Sequence, residues 1–432
     1  MHCVRIFIRK KKETEVIFLK SVKTIIKDPW EYVKSFGKWI LCAVVVGIFG
    51  GVVGSLFHMC VDYVTHVRIE NNWLLYLLPV GGALIFLLYG IFKKFGALDT
   101  DRVLASVSKD NDVPFVMAPL IFISASVSHL LGASVGREGA ALQLGGAIGY
   151  RFAKALKMSK ESIHTIVRAG MSAVFSALFG TPLAAAVFAL EVVSVGSLPY
   201  GAMVPCFLSS ATAFLVSTSM GVAPVRFLNV SFPALSPNIL FQVLVLAGLC
   251  ALVSILFCIS IEKCKEGANK LLPNPYLRGL VGGGVILILT LLVGTRDYNG
   301  AGMDVISKAL SGDARIEAFL LKILFTAVSI SAGFKGGEIV PAFFVGATFG
   351  CAFGSLLGLG AQFGAAIGFV SVFCGAVNCP LASILLGIEV FGAEGALPIA
   401  LACAVSFMLS GRYSLYQAQS FLYSKLKEEK LH

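Results

Sequence analysis

The chain has 432 residues, of which 57% are hydrophobic and 14% are charged, and its mean hydropathy is +0.86. This composition lies far outside the range of soluble globular domains and predicts an all-α polytopic membrane protein. The net charge of +11 does not indicate nucleic acid as a partner, because the cations are neither spread along a helix face nor interleaved with aromatic residues.

Thirteen apolar segments can enter a bilayer. In chain order they run from Trp39 to Val64, Trp73 to Phe92, Pro114 to Val135, Ala140 to Ala155, Ile163 to Val193, Tyr200 to Val222, Ile239 to Ile261, Leu277 to Val293, Ala318 to Ala332, Pro341 to Leu357, Phe363 to Val377, Pro380 to Phe391 and Leu397 to Leu409. Several are shorter than the ~20 residues that cross hydrocarbon, and many begin or end at Gly or Pro. The pattern predicts short, broken helices that meet inside the membrane.

Basic residues concentrate near both ends of the chain. They include the run "RKKK" at residues 9–12, then Lys20, Lys23 and Lys27, and near the other end Lys425, Lys427 and Lys430. By the positive-inside rule both termini are expected to be cytoplasmic, although a solvated charged tail explains the same residues. The first apolar run begins near residue 39 and continues as a full span, so no cleavable signal peptide is expected.

The eleven cysteines indicate packing rather than chemistry. They lie singly, mostly inside apolar segments, and the spacing of Cys374 and Cys379 matches no metal site. No His/Asp/Glu cluster stands at metal-ligand spacing. We therefore expect no metal and no cofactor, and we expect a protein that is not an enzyme.

Two pairs of segments recur along the chain. Residues 181–192, "TPLAAAVFALEV", resemble residues 379–390, "CPLASILLGIEV", at a shift of 198 residues. Residues 136–147, "GREGAALQLGGA", can be laid over residues 336–347, "GGEIVPAFFVGA", at a shift of 200. Nearly equal shifts predict two related halves, a recurring plan of transporters whose substrates bind at helix ends near the midplane.

The predicted organisation has four parts. They are a basic N-terminal segment at residues 1–37, a first membrane repeat at 38–232, a second at 233–415, and a segment at 416–432 that carries Tyr416 and a short cytoplasmic tail. The boundary between repeats falls in the polar run "NVSFPALSPN", residues 229–238.

Two glycine-rich stretches predict helix starts that can hold an anion. In "GASVGREGAALQLGGAIG", residues 132–149, a helix is expected to begin at Glu138, and in "SAGFKGGEIVPAFFVGATFG", residues 331–350, at Ile339 or Val340. A helix N-terminus carries about half a positive charge and free N–H donors. Glu138 and Glu338 can each occupy the place of an anion or leave it when protonated; alternatively, both simply cap their helices.

These motifs resemble those of the CLC chloride channels and transporters, the voltage-gated chloride channel family. "GREGA" followed by "LQLGG" is similar to the GREGP motif, "GFKGGEIVPAFFVGATFG" to the second glycine-rich motif, and "GRYSLYQAQ", residues 411–419, to the closing segment with the pore tyrosine. The resemblance implies a CLC-type fold of tilted, partly broken helices in two inverted repeats. It also implies a homodimer in the lipid bilayer with one pathway per subunit.

The resemblance implies roles for individual residues. Glu138 would be the gating glutamate that exchanges with protons, and Glu338 and Tyr416 would act beside a central anion. The residues that it places around the anions are Gly136, Arg137, Gly139, Ile339, Val340 and Ala97. Glu191 and Glu389, which match in the repeat, are expected to be structural and to pair with a nearby Arg or Lys.

Three departures from the chloride-selective pattern resemble the fluoride-exporting branch of the family. Counting back from Glu138 without gaps puts Ala97 where the chloride-coordinating serine of GSGIP would stand, with Asp99 and Asp101 nearby as loop or capping residues. Ala140 replaces the proline of GREGP, and Glu338 replaces an apolar residue. The branch implies fluoride/proton antiport and fluoride resistance in a bacterial plasma membrane.

One further departure keeps alternatives open. Many chloride/proton exchangers carry an inner proton glutamate where this chain has Val192, a residue that some channel members also show. A chloride/proton antiporter and a passive chloride channel of the same fold therefore remain alternatives. In a fluoride/proton antiporter, Glu338 is the residue that can supply another proton path.

Overall fold

The computed structural model describes residues 29–425, and within them the chain forms sixteen α-helices. In order they are α1 (Pro29–Glu70), α2 (Leu78–Ile91), α3 (Thr100–Ser108), α4 (Met117–Leu131), α5 (Glu138–Ala155), α6 (Lys160–Phe179), α7 (Pro182–Glu191), α8 (Met203–Ser219), α9 (Pro237–Leu271), α10 (Pro275–Val293), α11 (Met303–Leu310), α12 (Ala318–Ser331), α13 (Ile339–Leu356), α14 (Ala361–Val377), α15 (Pro380–Phe391) and α16 (Ala396–Leu409). Two short strands, β1 (Ser194–Val195) and β2 (Ser420–Phe421), pair in parallel.

The all-α membrane architecture is confirmed. Seven helical stretches of the described chain are long and apolar enough to cross a membrane, among them α1, α9 and α10. The outer helices expose large apolar side chains, as on α10, where Leu292 is 77% exposed and Ile288 56%. Such a surface is stable only in lipid, so this is an integral membrane protein.

The apolar segment from Ile163 to Val193 is divided in two by the structure. α6 ends at Gly180, whose φ of +68° lies in the left-handed region that glycine adopts without strain. Pro182 then opens α7 at a position where its missing N–H leaves no hydrogen bond unmade. Two short helices thus replace one long span, as the expectation of broken helices requires.

The order of elements repeats along the chain. α1–α8 and α9–α16 follow the same succession, with α5 and α13 both 18 residues long. The predicted boundary, residues 229–238, falls mainly in the loop between α8 and α9. The division into two repeats stays a prediction that this succession supports. α3 and α11, short and not wholly apolar, were not predicted.

The chain divides into two compact units, Met1–Cys42 and Ala43–His432. Of the first, the structure describes the start of α1, and the second holds every other described element. The basic run at residues 9–12, the lysines before residue 28 and the last two lysines of the sequence lie outside the described residues. The predicted location of the termini therefore stays a prediction.

Helix pairs at the centre of the second unit meet along glycine seams. A Cβ on Gly145 of α5 would lie 2.2 Å from the carbonyl oxygen of Gly170 on α6. In the same way, a Cβ on Gly350 of α13 would lie 2.1 Å from the carbonyl oxygen of Gly364 on α14. Small residues allow backbones to approach this closely, which is how helices pack in membranes without a hydrophobic driving force.

We predict that Gly350→Val separates α13 from α14. The added side chain meets backbone, which cannot move aside, so the free energy of unfolding should fall by about 3 kcal/mol or more. Gly284→Val is the matched control, because a Cβ there meets no atom within 4 Å although the residue also lies in a helix. Thermal unfolding in detergent measures the stability of both variants. Equal losses of stability would contradict the inference that α13 and α14 pack closely through their glycines.

Candidate functional site

Two helices begin inside the glycine-rich stretches singled out in the sequence. α5 begins at Glu138 and α13 at Ile339, as predicted. Neither Arg137 nor Glu338, the residues just before them, makes a side-chain hydrogen bond that caps its helix. No side-chain hydrogen bond therefore supports the alternative that Glu338 serves only as a cap. Partial positive charge at both helix starts remains available to an anion.

A reciprocal pair of backbone hydrogen bonds joins the two helix starts. The N–H of Gly136 donates to the carbonyl oxygen of Gly337 at 2.7 Å, and the N–H of Gly337 donates to that of Gly136 at 2.7 Å. Gly139 lies just as close, since a Cβ there would be 2.7 Å from the carbonyl oxygen of Gly336. The chain thus brings α5 and α13 together at their positive ends, with Ile339 and Val340 buried beside them.

The side chain of Glu138 is enclosed between these two helix starts. It is 0% exposed, and neither carboxylate oxygen makes a hydrogen bond. A Cβ on Gly136 would lie 2.2 Å from its Oε2, and one on Gly337 2.7 Å from the same oxygen, so both glycines are needed to make room for it. The backbone N–H groups of Glu138 itself, Val340 and Arg137 lie near it. The carboxylate occupies a place suited to a small anion.

Two cavities approach Glu138 without including it. The tyrosine cavity, of about 410 Å³, is lined among others by Thr100, Asp101, Gln143, Lys335, Glu338 and Tyr416. The arginine cavity, of about 640 Å³, is lined among others by Asp62, Arg68, His129, Arg137, Arg296 and Val340. Arg137 precedes Glu138 in the chain and Glu338 precedes Ile339. The two helix starts that enclose the Glu138 carboxylate thus contribute residues to both cavities, Glu338 to the first and Arg137 and Val340 to the second.

Unpaired polar groups line the tyrosine cavity. The Tyr416 side chain is 3% exposed and its hydroxyl makes no hydrogen bond within residues 29–425, and the same holds for Oε1 of Gln143. The other amide atom of Gln143, Nε2, donates to the Thr100 hydroxyl at 3.1 Å. Buried polar groups normally find partners, so an unpaired hydroxyl donor here suits a bound anion.

Glu338 also lines the tyrosine cavity and is half-buried there. Its carboxylate shares the cavity with the Lys335 side chain, whose ammonium lies 4.3 Å from the centre of the Tyr89 ring. Two carboxylates are thus arranged along one path, the first closed off and the second reachable from the cavity.

Ala97 does not lie at this site, and its placement among the anion-binding residues is wrong. It is exposed and does not line the tyrosine cavity. The lining of the tyrosine cavity begins at Asp99, so the gap-free count from Glu138 falls two residues short of it. Thr100 brings a hydroxyl there instead, which donates to the carbonyl oxygen of Gly139 at 3.4 Å.

Of the two aspartates next to Thr100, Asp99 is a capping residue, as expected, whereas Asp101 joins two segments of the chain, which was not expected. Asp99 is the N-cap of α3 and accepts a hydrogen bond from the N–H of Arg102 at 3.1 Å. Asp101 accepts one from the N–H of Ala418 at 2.9 Å, which ties the start of α3 to the C-terminal segment. A carboxylate at an N-cap stabilises the helix start.

Arg137 faces the arginine cavity with its side chain. Its Nη1 lies 3.3 Å from Oδ1 of Asp62, whose Oδ2 lies 2.9 Å from Nε2 of His58. The ion pair holds the side chain away from the start of α5, so only backbone groups of Arg137 approach Glu138. The role of Arg137 beside an anion stays a prediction, and the ion pair with Asp62 leaves its backbone amide, rather than its guanidinium, at the start of α5.

Glu191 and Glu389 bind backbone rather than Arg or Lys. The Glu191 carboxylate accepts from the N–H groups of Leu381 and Ala382 at 3.2 and 2.8 Å, at the start of α15. In return, the Glu389 carboxylate accepts from the start of α7, at 3.0 and 2.8 Å. Each helix thus caps the other, which corrects the predicted partners and keeps the predicted structural role.

Lys322 is a candidate that the sequence analysis missed. Its side chain is fully buried on α12, and the ammonium donates to the carbonyl oxygens of Tyr298 and Gly300 at 3.2 and 2.7 Å. The loop that it holds contributes Asn299 and Gly302 to the arginine cavity. The available signal was a lysine inside the apolar run "AFLLKILF", since ionisable residues in membrane segments are usually functional.

The sequence matches a known protein family over most of its length. The model described as "Voltage gated chloride channel" matches residues 82–411. This chain belongs to the CLC family. A "Chloride/fluoride channel protein" of Pseudomonas syringae pv. tomato is 35% identical over 398 residues, which cover 90% of this chain and 87% of that protein. The "H(+)/Cl(-) exchange transporter ClcA" of Vibrio vulnificus is 25% identical and covers 81% of each.

Solved CLC structures confirm the fold. The "CLC-type fluoride/proton antiporter" matches with a TM-score of 0.85 and 28% identity, covering 89% of this chain and 98% of that one. A "slow cyanobacterial Cl-/H+ antiporter" matches with a TM-score of 0.72 at 20% identity, which shows the fold alone. CLC proteins are ion channels and transporters, so this CLC chain is assigned to membrane ion transport and to no enzyme class.

Proposed function

We propose that this CLC protein is a proton-coupled fluoride exporter, a fluoride/proton antiporter that confers fluoride resistance. The observation that carries the proposal is the enclosed, unpaired carboxylate of Glu138 between two helix N-termini whose residues line two cavities. An anion that passes between the cavities competes for this place. We further propose a homodimer in a bacterial plasma membrane, with one pathway in each subunit and both termini cytoplasmic.

Competition at one place couples the two ions. While Glu138 is ionised, its carboxylate fills the positive end shared by α5 and α13 and excludes an anion. When it takes a proton, its attraction to both helix starts falls and an anion can replace it. The site is therefore filled either by fluoride, while Glu138 is protonated, or by the carboxylate of Glu138, after its proton has left. This alternation is the requirement for exchange.

Fluoride preference follows from the donors beside the path. Fluoride is small and strongly hydrated, so a binding site must offer short, strong donors to replace its water. The Tyr416 hydroxyl is free to donate, and a protonated Glu338 would add a second strong donor in the same cavity. The fluoride/proton antiporter named above, with a TM-score of 0.85, supports this choice over the chloride exchangers.

A proton path through Glu338 replaces the missing inner glutamate. Val192 stands at that position, and its hydrocarbon side chain has no group that can take up a proton. Glu338 is reachable from the tyrosine cavity and shares it with the acidic side chain of Asp101. Two anions a few ångström apart in a low-dielectric site repel by several kcal/mol, so fluoride beside Glu338 favours its protonation.

A chloride/proton antiporter or a passive chloride channel is the alternative, favoured by Val192 and by the relatives that move chloride. Fluxes decide between them. In proteoliposomes that hold the purified protein, fluoride should leave much faster than chloride, and a pH electrode should record proton movement in the opposite direction. Equal fluxes, or a preference for chloride, contradict the fluoride assignment, and fluoride flux without proton movement indicates a channel.

Glu138→Gln should abolish proton coupling. An amide keeps the shape of the side chain but cannot take up or release a proton, so a fluoride gradient should no longer drive protons uphill. Glu394→Gln, at an exposed position between α15 and α16, is the matched control and should leave coupling intact. Uphill proton movement by the Glu138 variant would show that this carboxylate serves the helix alone.

Glu338→Gln should leave a folded protein that has lost proton-coupled fluoride movement. If Glu338 were only a cap, the substitution would cost at most ~1 kcal/mol of stability and leave transport unchanged, because an amide oxygen still accepts from N–H groups. Coupling ratio and melting temperature are measured on the same preparation, with the Glu394 variant as reference. An unchanged ratio rules Glu338 out of the proton path.

A further inference from the structure

Gln419 lies three residues after Tyr416 in the C-terminal segment and is 6% exposed. All four hydrogen-bonding positions of its side-chain amide are filled. Nε2 donates to the carbonyl oxygens of Val192 at 3.0 Å and Val377 at 2.9 Å. Oε1 accepts from Nδ2 of Asn378 at 3.1 Å and from the Ser414 hydroxyl at 2.8 Å. Only a side chain with two donors and an acceptor can make this set.

The partners of Gln419 come from three separate places in the fold. Val192 follows the last residue of α7, Val377 ends α14, and Asn378 holds the left-handed position after it, with φ of +58°. Ser414 belongs to the turn that precedes Tyr416. One buried amide therefore joins two helix ends to the segment that carries Tyr416.

A two-step relay runs from Gln419 to the backbone of Tyr416. The Ser414 hydroxyl donates to Oε1 of Gln419 and accepts from the N–H of Tyr416 at 3.1 Å. On the other side of the turn, the N–H of Ala418 is held by Asp101. The Tyr416 hydroxyl has no hydrogen bond of its own among the described residues. Its place in the cavity is therefore set by its backbone, by its packing and by these two anchors.

We propose that Gln419 is a positioning residue that holds the Tyr416 hydroxyl on the fluoride path. The inference rests on the proposed function, because it assumes that Tyr416 meets the transported anion. Gln419 binds the ends of α7 and α14 and is connected through Ser414 to the backbone of Tyr416. A shift of either helix end therefore moves the hydroxyl, so gating at Tyr416 follows the helices that surround it.

Gln419→Met tests the proposal, because Met has similar length and no hydrogen-bonding group that can replace the amide. We expect protons moved per fluoride to fall by roughly a factor of ten, which is less than the ~10²-fold that a 1 Å misplacement of a reacting group can cost in rate. Gln362→Met is the matched control, since that amide donates one bond to the carbonyl of Ser311 far from the cavity. The control should keep the wild-type ratio.

Ser414→Ala is the second variant, which removes both bonds of the relay together with one hydroxyl from the lining of the tyrosine cavity. It leaves the bonds from Gln419 to Val192, Val377 and Asn378 intact, so the fold is retained even if Gln419→Met proves unstable. We expect the same direction of change in the ratio, with the melting temperature near that of wild type. A wild-type ratio in Ser414→Ala overturns the proposal.

A Tyr416→Phe background separates positioning from general loss of structure. If Gln419 acts only through the Tyr416 hydroxyl, adding Gln419→Met to Tyr416→Phe should change the ratio no further. Additive effects would overturn the proposal, because they show that Gln419 acts on another part of the protein. If Tyr416→Phe itself leaves fluoride transport and coupling unchanged, the assumed role of Tyr416 fails instead, and with it the premise of the proposal.

Discussion

The structure depends on the reciprocal hydrogen bonds between Gly136 and Gly337. A positive helix end in a membrane is costly unless something satisfies it, and here the chain places two such ends against each other and lets them share one carboxylate. The bond pair needs glycine at both positions, because side chains there would displace the Glu138 carboxylate. The proposed anion site, the proposed gate and the contact between the two predicted repeats are thus one local arrangement.

The parts of this arrangement that depend on local sequence could be predicted. Glycines followed by an apolar run fixed the starts of α5 and α13, and the motifs indicated the family that comparison confirmed. Differences in loop length from the family motif could not be predicted from one sequence. Ala97 was misplaced because loop length, not residue type, decides which residue of the Gly96–Thr100 turn reaches the cavity.

Partners that are distant in sequence could not be predicted either. The repeat identified Glu191 and Glu389 as a matched pair, but nothing local indicates that each accepts from the other's helix start rather than from a cation. Gln419 gave no signal, because a lone glutamine near a chain end usually lies on a solvated surface. Its role depends on three segments that only the fold assembles.

The exchange of caps between α7 and α15 bears on how such a chain arises. Each half supplies the carboxylate that completes a helix of the other, so a half alone would leave bare N–H groups in hydrocarbon, at several kcal/mol each. A half-length ancestor with the same two elements would meet this need by pairing with a second copy of itself. Fusion of two such copies would preserve both sets of capping hydrogen bonds and leave the rest of each half free to diverge. Arg137 and Gly337, which occupy matching positions in the two repeats, are an example of such divergence.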